Sequence, residues 1–158
     1  YFYLHSRTDS WPPGVLPPDL LWGSTNTAIF LLSIIPNEWY RRRARKGDLR
    51  AVRIGLVTLT FVGVANLTVR YMELRHLNCD WTQSAYGSVV WLLMGLHVAH
   101  LITDWIDTAV LTALFFSPHI EGKRFVDAAE NACYWYFVVL TWIPIYLVIY
   151  WAPRWLRS

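Results

Sequence analysis

Apolar residues in this chain fall into long runs, and the charges sit mostly between the runs. The runs are too long for half-buried strands, which alternate apolar and polar positions over only a few residues. A helix rises about 1.5 Å per residue and a bilayer core is ~30 Å thick, so roughly 20 apolar residues cross it. The pattern predicts an all-α membrane protein, a bundle of about four transmembrane helices at about 20–40, 51–74, 84–116 and 126–151. Residues 1–19 form a Pro-rich outer loop or the tail of a preceding helix, with four prolines within 8–18. Residues 152–158 form an outer C-terminal tail, because Pro153 is expected to stop the last helix.

Polar residues inside the runs refine this picture. Asp19 is the expected N-cap of the first span. Ser24, Thr25, Asn26 and Thr27 are small or polar and uncharged, the kind of side chain that faces another helix in a membrane. Pro36 is expected to kink the end of that span. Arg53 can snorkel to the interface from the inner end of the second span. Arg70 and Glu73, one turn apart near its outer end, can pair with each other or reach the interface. Trp22, Trp39, Trp81, Trp151 and Trp155 lie near predicted boundaries, as an aromatic belt would.

Composition supports the membrane reading. The chain is 55% hydrophobic and 16% charged, against about 45–50% and 25% in ordinary soluble domains. Residues 41–50 (RRRARKGDLR) carry six cations and one acid. Short loops rich in Lys and Arg stay on the cytoplasmic side, which places 41–50 inside. With apolar spans on both sides, that run does not suggest nucleic-acid binding. Cys79 and Cys133 fall on opposite sides of the predicted bundle, too far apart for a disulfide.

Candidate chemistry concentrates in the third span. His97, His100, Asp104 and Asp107 follow a spacing of three, four and three, which places them on one helical stripe. Ionisable groups at membrane depth face a protein interior or water. The stripe therefore has three readings: a hydrogen-bonding face toward other helices, a set of acids that relay protons, or metal ligands. Glu121, Asp127 and Glu130 are candidate inner-surface acids. They are read either as acids at a helix N-terminus or as proton collectors. No phosphate loop, Ser-His-Asp set or clustered Cys/His set is visible. No catalytic, metal or cofactor-binding residue is therefore assigned to this chain.

Several short stretches resemble subunit III of cytochrome c oxidase, the haem-copper oxidase subunit III family. They are Trp11-Pro12-Pro13-Gly14, Asn26-Thr27-Ala28, Tyr71 with Glu73, Tyr86-Gly87-Ser88, and Gly95-Leu96-His97-Val98-Ala99-His100. Near the end come Tyr134-Trp135-Tyr136-Phe137-Val138, Trp142 and Ile149-Tyr150-Trp151. They keep the family's order and correspond to its fourth to seventh helices. The match begins after the family's third helix, so the first two helices, which enclose a lipid cleft with the rest, and the third, which carries a buried, protonatable Glu, fall outside it: the subunit is reduced, or those helices belong to a part of the protein not in this sequence or to another chain. Departures stand at Tyr136 and Val139, where the family has His and Asp, at Ala129, where it has Glu, and at Val98, where it has Gly. Asp104 and Asp107 stand where it has small or apolar residues.

The resemblance implies a non-catalytic subunit of an oxygen-reducing, proton-translocating terminal oxidase in aerobic respiration. Such a subunit stabilises catalytic subunit I, contacts other oxidase subunits and supports proton uptake. Haem and copper are then expected in the partner, and bound phospholipid on this chain. The expected location is the bacterial plasma (inner) membrane, with the mitochondrial inner membrane as the alternative. The alternative function is a membrane scaffold or assembly protein of the same fold, such as a nitric oxide reductase-associated member.

Overall fold

The computed structural model describes Ser6 and residues 18–117 and 122–155. Four long helices dominate these residues: α1 (Leu20–Arg45), α2 (Leu49–Arg75), α3 (Ala85–Phe115) and α4 (Lys123–Tyr146). A π-helical turn, Leu147–Trp151, and a last short helix α5 (Ala152–Trp155) continue α4. Three N-termini are closed by side-chain caps that accept otherwise orphaned backbone N–H groups. Asp19 accepts from Leu21 N at 3.1 Å, Asp48 from Ala51 N at 3.2 Å, and Ser84 Oγ from Gly87 N at 3.0 Å.

Two boundaries differ from the sequence expectation. α1 continues past 40 through the cationic run to Arg45. Arginine is a good helix former, and cations favour the negative end of the helix dipole. Glu38 supports the extension by pairing with Arg41 at 2.8 Å and Arg42 at 2.7 Å. The chain then reverses at Gly47, whose φ of 70° suits a residue without a Cβ. At the other end, Pro153 does not stop the helix, which persists to Trp155. The wider π turn just before it shifts the hydrogen-bond pattern, which makes room for a ring lacking an N–H.

Each helix packs on its neighbour in sequence, and α4 closes the ring onto α1. Close approach favours glycine where α2 meets α1 and α3: a Cβ at Gly55 would lie 2.7 Å from Tyr40 Cβ, and one at Gly63 would meet the Trp105 indole. Two apolar cores fill the bundle. One lies toward the cationic end around Tyr40, Leu56, Leu111, Phe115 and Ala128, the other around Phe30, Val90, Met94, Trp135 and Trp142. Large apolar side chains such as Leu32, Ile54, Phe61, Leu92 and Leu140 point outward instead. That is the surface expected of a bundle solvated by lipid.

Among the described residues, three segments are long and apolar enough to cross a membrane: Leu49–Arg75, Ala85–Phe115 and Lys123–Trp155. α1 has the length but a more polar composition, and the structure gives the reason. Its polar groups form a ladder to α4. Ser24 Oγ meets Tyr146 Oη at 2.8 Å, Trp142 Nε1 donates to Thr27 Oγ1 at 2.8 Å, and Trp135 Nε1 donates to Ser33 Oγ at 2.8 Å. Further along, Asn37 Nδ2 donates to Ala132 O at 2.9 Å and Tyr40 Oη to Ala128 O at 2.7 Å. Of the four residues expected to face other helices, Ser24, Asn26 and Thr27 do. Thr25 instead donates to Leu21 O of its own helix and is exposed.

Candidate functional site

The most distinctive chemistry lies between the helices, away from the cationic end. Arg70 and Glu73 on α2 are both about 1% exposed, and Arg70 Nη1 donates to Glu73 Oε2 at 2.7 Å. The sequence allowed this pair to reach the interface; the bundle buries it. A buried ion pair needs further hydrogen bonds to offset desolvation. Asn26 Nδ2 from α1 donates to the same Glu73 oxygen at 3.2 Å, and Tyr150 Oη, beyond α4, donates to Oε1. The Arg70 guanidinium lies over the Trp142 ring, 3.8 Å from its centroid. A desolvated cation on an indole face gains about 2 kcal/mol or more.

His97 of α3 completes the cluster. Its Nδ1 lies 3.4 Å from Arg70 Nη2, and its Nε2 lies 3.0 Å from Val138 O. A guanidinium only donates and a carbonyl only accepts. The partners therefore assign the proton to Nε2 and the lone pair to Nδ1. The ring also packs against Trp142, with centroids 5.1 Å apart, and edge-on to Phe30. Residues from all four long helices and the π turn thus converge on one charged pair. Among the described residues, Arg70 Nε and Asn26 Oδ1 find no hydrogen-bond partner. Five of the converging residues, Asn26, Glu73, His97, Trp142 and Tyr150, lie in the stretches that carry the family resemblance. Spacing along the chain missed the cluster because its members are far apart in sequence. The available signal was those stretches taken together with a charged pair inside an apolar run.

The His/Asp stripe of α3 divides. His97 and Asp104 are buried, whereas His100 and Asp107 are exposed. His100 Nδ1 lies 2.8 Å from Tyr134 Oη, and Asp107 Oδ2 accepts from Asn131 Nδ2 at 3.0 Å. Asn131 also exchanges hydrogen bonds with Thr108. No donor among the described residues reaches Asp104 Oδ1. Asp127 and Glu130 are exposed on α4 and, with Asp107, line an open groove of about 480 Å³ between α3 and α4. Glu121 lies outside the described residues. No three His, Cys, Asp or Glu side chains among the described residues gather as a metal site would require.

Between the second and third spans, Cys79 sits in the loop joining α2 and α3, where burial and the nearby Asp80 push its thiol up to about 11. Cys79 and Cys133 are both free.

Comparison with known proteins places these features. The family model described as cytochrome c oxidase subunit III matches residues 8–154. Cytochrome c oxidase subunit 3 of Pisaster ochraceus is 29% identical over 145 residues, covering 90% of this chain and 55% of that protein. The corresponding protein of Myxine glutinosa is 29% identical over 149 residues, covering 89% and 55%. That of Cyprinus carpio is 26% identical over 147 residues, with the same coverage of 89% and 55%. The chain therefore spans about half the length of the curated relatives it matches.

Proposed function

The chain belongs to the cytochrome c oxidase subunit III family, and on that premise we propose that it serves as a non-catalytic subunit of a haem-copper terminal oxidase. The observation that carries the proposal is the family match across residues 8–154, nearly the whole chain. In this reading α1 to α4 cross the bilayer with the 41–50 loop on the cytoplasmic side. The bundle docks on catalytic subunit I, which carries the haems and copper, and contacts other oxidase subunits. The membrane is the one that houses the oxidase, the bacterial plasma membrane or the mitochondrial inner membrane.

The site geometry supports a scaffold role. Both His97 ring nitrogens are engaged within the bundle, and the Arg70–Glu73 pair is bonded by Asn26, His97 and Tyr150 from other elements. At the cationic end, Asp107, Asp127 and Glu130 line an open groove. In this proposal they raise local proton availability for the partner's uptake pathway, and phospholipid covers the outward apolar faces.

Deleting the chain from its source cell and restoring it tests the proposal. Oxygen consumption by isolated membranes is expected to fall on deletion and recover on complementation. Unchanged consumption, together with intact assembly of the haem-bearing subunit, contradicts an oxidase role. Loss of assembled oxidase with the chain itself absent from the mature complex favours the assembly-factor alternative.

A further inference from the structure

At the end of the bundle opposite the 41–50 turn, a pocket of about 570 Å³ opens where the loop between α2 and α3 meets the start of α3. Asp80, Trp81, Ser88, Trp91 and Leu92 line it. Backbone contacts place its two tryptophans. Trp91 Nε1 donates to Cys79 O at 2.8 Å, and Trp81 O accepts from Ser88 Oγ at 2.7 Å. The same two bonds engage the Trp91 N–H and the Ser88 hydroxyl proton, which are then not offered to a ligand. Asp80 Oδ2 accepts from Gln83 Nε2 at 2.5 Å. None of the ion pairs among the described residues includes Asp80. The cations nearest in sequence are engaged elsewhere. Arg75 lies over the Tyr71 ring, 5.2 Å from its centroid, and His76 Nδ1 is bonded to Met72 O at 2.7 Å.

The pocket therefore offers acceptors: the second Asp80 oxygen, a lone pair on Ser88 Oγ, and two indole rings. An indole face is negative and attracts a cation. Such a wall suits a group that carries positive charge and only donates hydrogen bonds. Guanidinium meets both conditions. It is planar, stacks on aromatic rings, and has five N–H donors and no acceptor. Leu92, exposed in the lining, can cover an apolar stem. A choline head group has no N–H to give Asp80. A lipid ethanolamine brings a phosphate beside the same carboxylate, and like charges repel.

We propose that this pocket receives an arginine side chain of a partner polypeptide, on the side of the membrane opposite the 41–50 turn, with the guanidinium paired to Asp80 and stacked on an indole. The pocket needs only α2, α3 and the loop between them, and is independent of the oxidase reading.

The test titrates the full chain with N-acetyl-arginine amide in dodecyl maltoside micelles, which supply no lipid head group, and follows saturation transfer from protein to ligand. The neutral isostere N-acetyl-citrulline amide, choline and phosphoethanolamine are titrated beside it. Saturable binding is expected for the arginine derivative, and weaker binding for the other three. Asp80→Asn removes the charge and keeps an oxygen for Gln83; Trp81→Leu removes an exposed indole. Each should weaken arginine binding about two- to five-fold, the equivalent of about 0.5–1 kcal/mol for an exposed cation contact. Trp155→Leu, which removes an exposed indole outside the pocket, should bind as the parent does. Equal binding of citrulline and arginine, or parent affinity in either Asp80→Asn or Trp81→Leu, overturns the proposal. So does an equal loss in Trp155→Leu, which would mean general attraction to indoles. Tighter binding of choline or phosphoethanolamine than of arginine overturns it in favour of a lipid head group.

Discussion

Replacing Glu73 with Gln perturbs the cluster at its centre. The substitution keeps shape but leaves the Arg70 guanidinium buried without a counter-charge. Removing one partner of a buried ion pair costs about 3–5 kcal/mol. Gln offers one acceptor oxygen, which can stay with Asn26 and Arg70, while its NH2 faces Tyr150, whose hydroxyl must turn to accept; the change at these two contacts adds about 1 kcal/mol each or less. Contact of Arg70 with the Trp142 face is present in parent and variant alike and cancels from the difference. R70M is expected to cost a similar 3–5 kcal/mol by stranding the carboxylate. The double variant R70M/E73L removes both charges but leaves Asn26 and Tyr150 without an acceptor at about 1–3 kcal/mol each, so its loss should be close to that of one single variant and well below the sum of both. The assay is SDS titration of the purified chain in mixed micelles, followed by fluorescence of its ten tryptophans as a readout of global unfolding. Single variants within about 1 kcal/mol of the parent, or a double variant with the summed loss of both singles, would refute the reasoning.

Gly63→Ala is expected to lower stability. Forcing a Cβ against the Trp105 indole costs about 1–3 kcal/mol, more than the roughly 1 kcal/mol gained in helix propensity; an unchanged or raised SDS midpoint contradicts this. In a Cys133→Ser background, N-ethylmaleimide should label Cys79 slowly at neutral pH. The thiol is held up at about 11 by burial and Asp80, so the rate should rise about tenfold per pH unit as thiolate forms. A rate that levels off near the ordinary thiol value of about 8.5 would contradict the half-buried placement of Cys79 beside Asp80. Exchanging Asp104 and Asp107 for Asn is expected to slow oxygen turnover of the assembled complex. Unchanged turnover across the neutral pH range would remove the proton-collecting role and leave a structural one.

Hydrophobic runs were enough to locate the helices, because an apolar stretch of bilayer length has few alternatives. Helix ends were harder. The cationic run at 41–45 reads as loop, yet arginine continues a helix readily and Glu38 ties the turn together. Pro153 reads as a terminator, and only the π turn before it lets the helix pass. The stripe on α3 was legible as a stripe but not as two faces. At ~100° per residue, His97 and Asp104 lie ~20° apart, while His100 and Asp107 are turned ~60° away, enough to leave the bundle interior. The Arg70–Glu73 pair was visible one turn apart, but spacing says nothing about which neighbours enclose it. Asn26 and Tyr150 lie 47 and 77 residues from Glu73, and only the fold brings them together.

The most direct test of the account is to recover the chain by affinity from solubilised native membranes and record the reduced-minus-oxidised visible spectrum of what elutes. A haem-bearing subunit should elute with the chain in fixed ratio, and the complex should consume oxygen. Elution of an intact assembly with no haem signal, or release of the chain from membranes by alkaline carbonate alone, would contradict it.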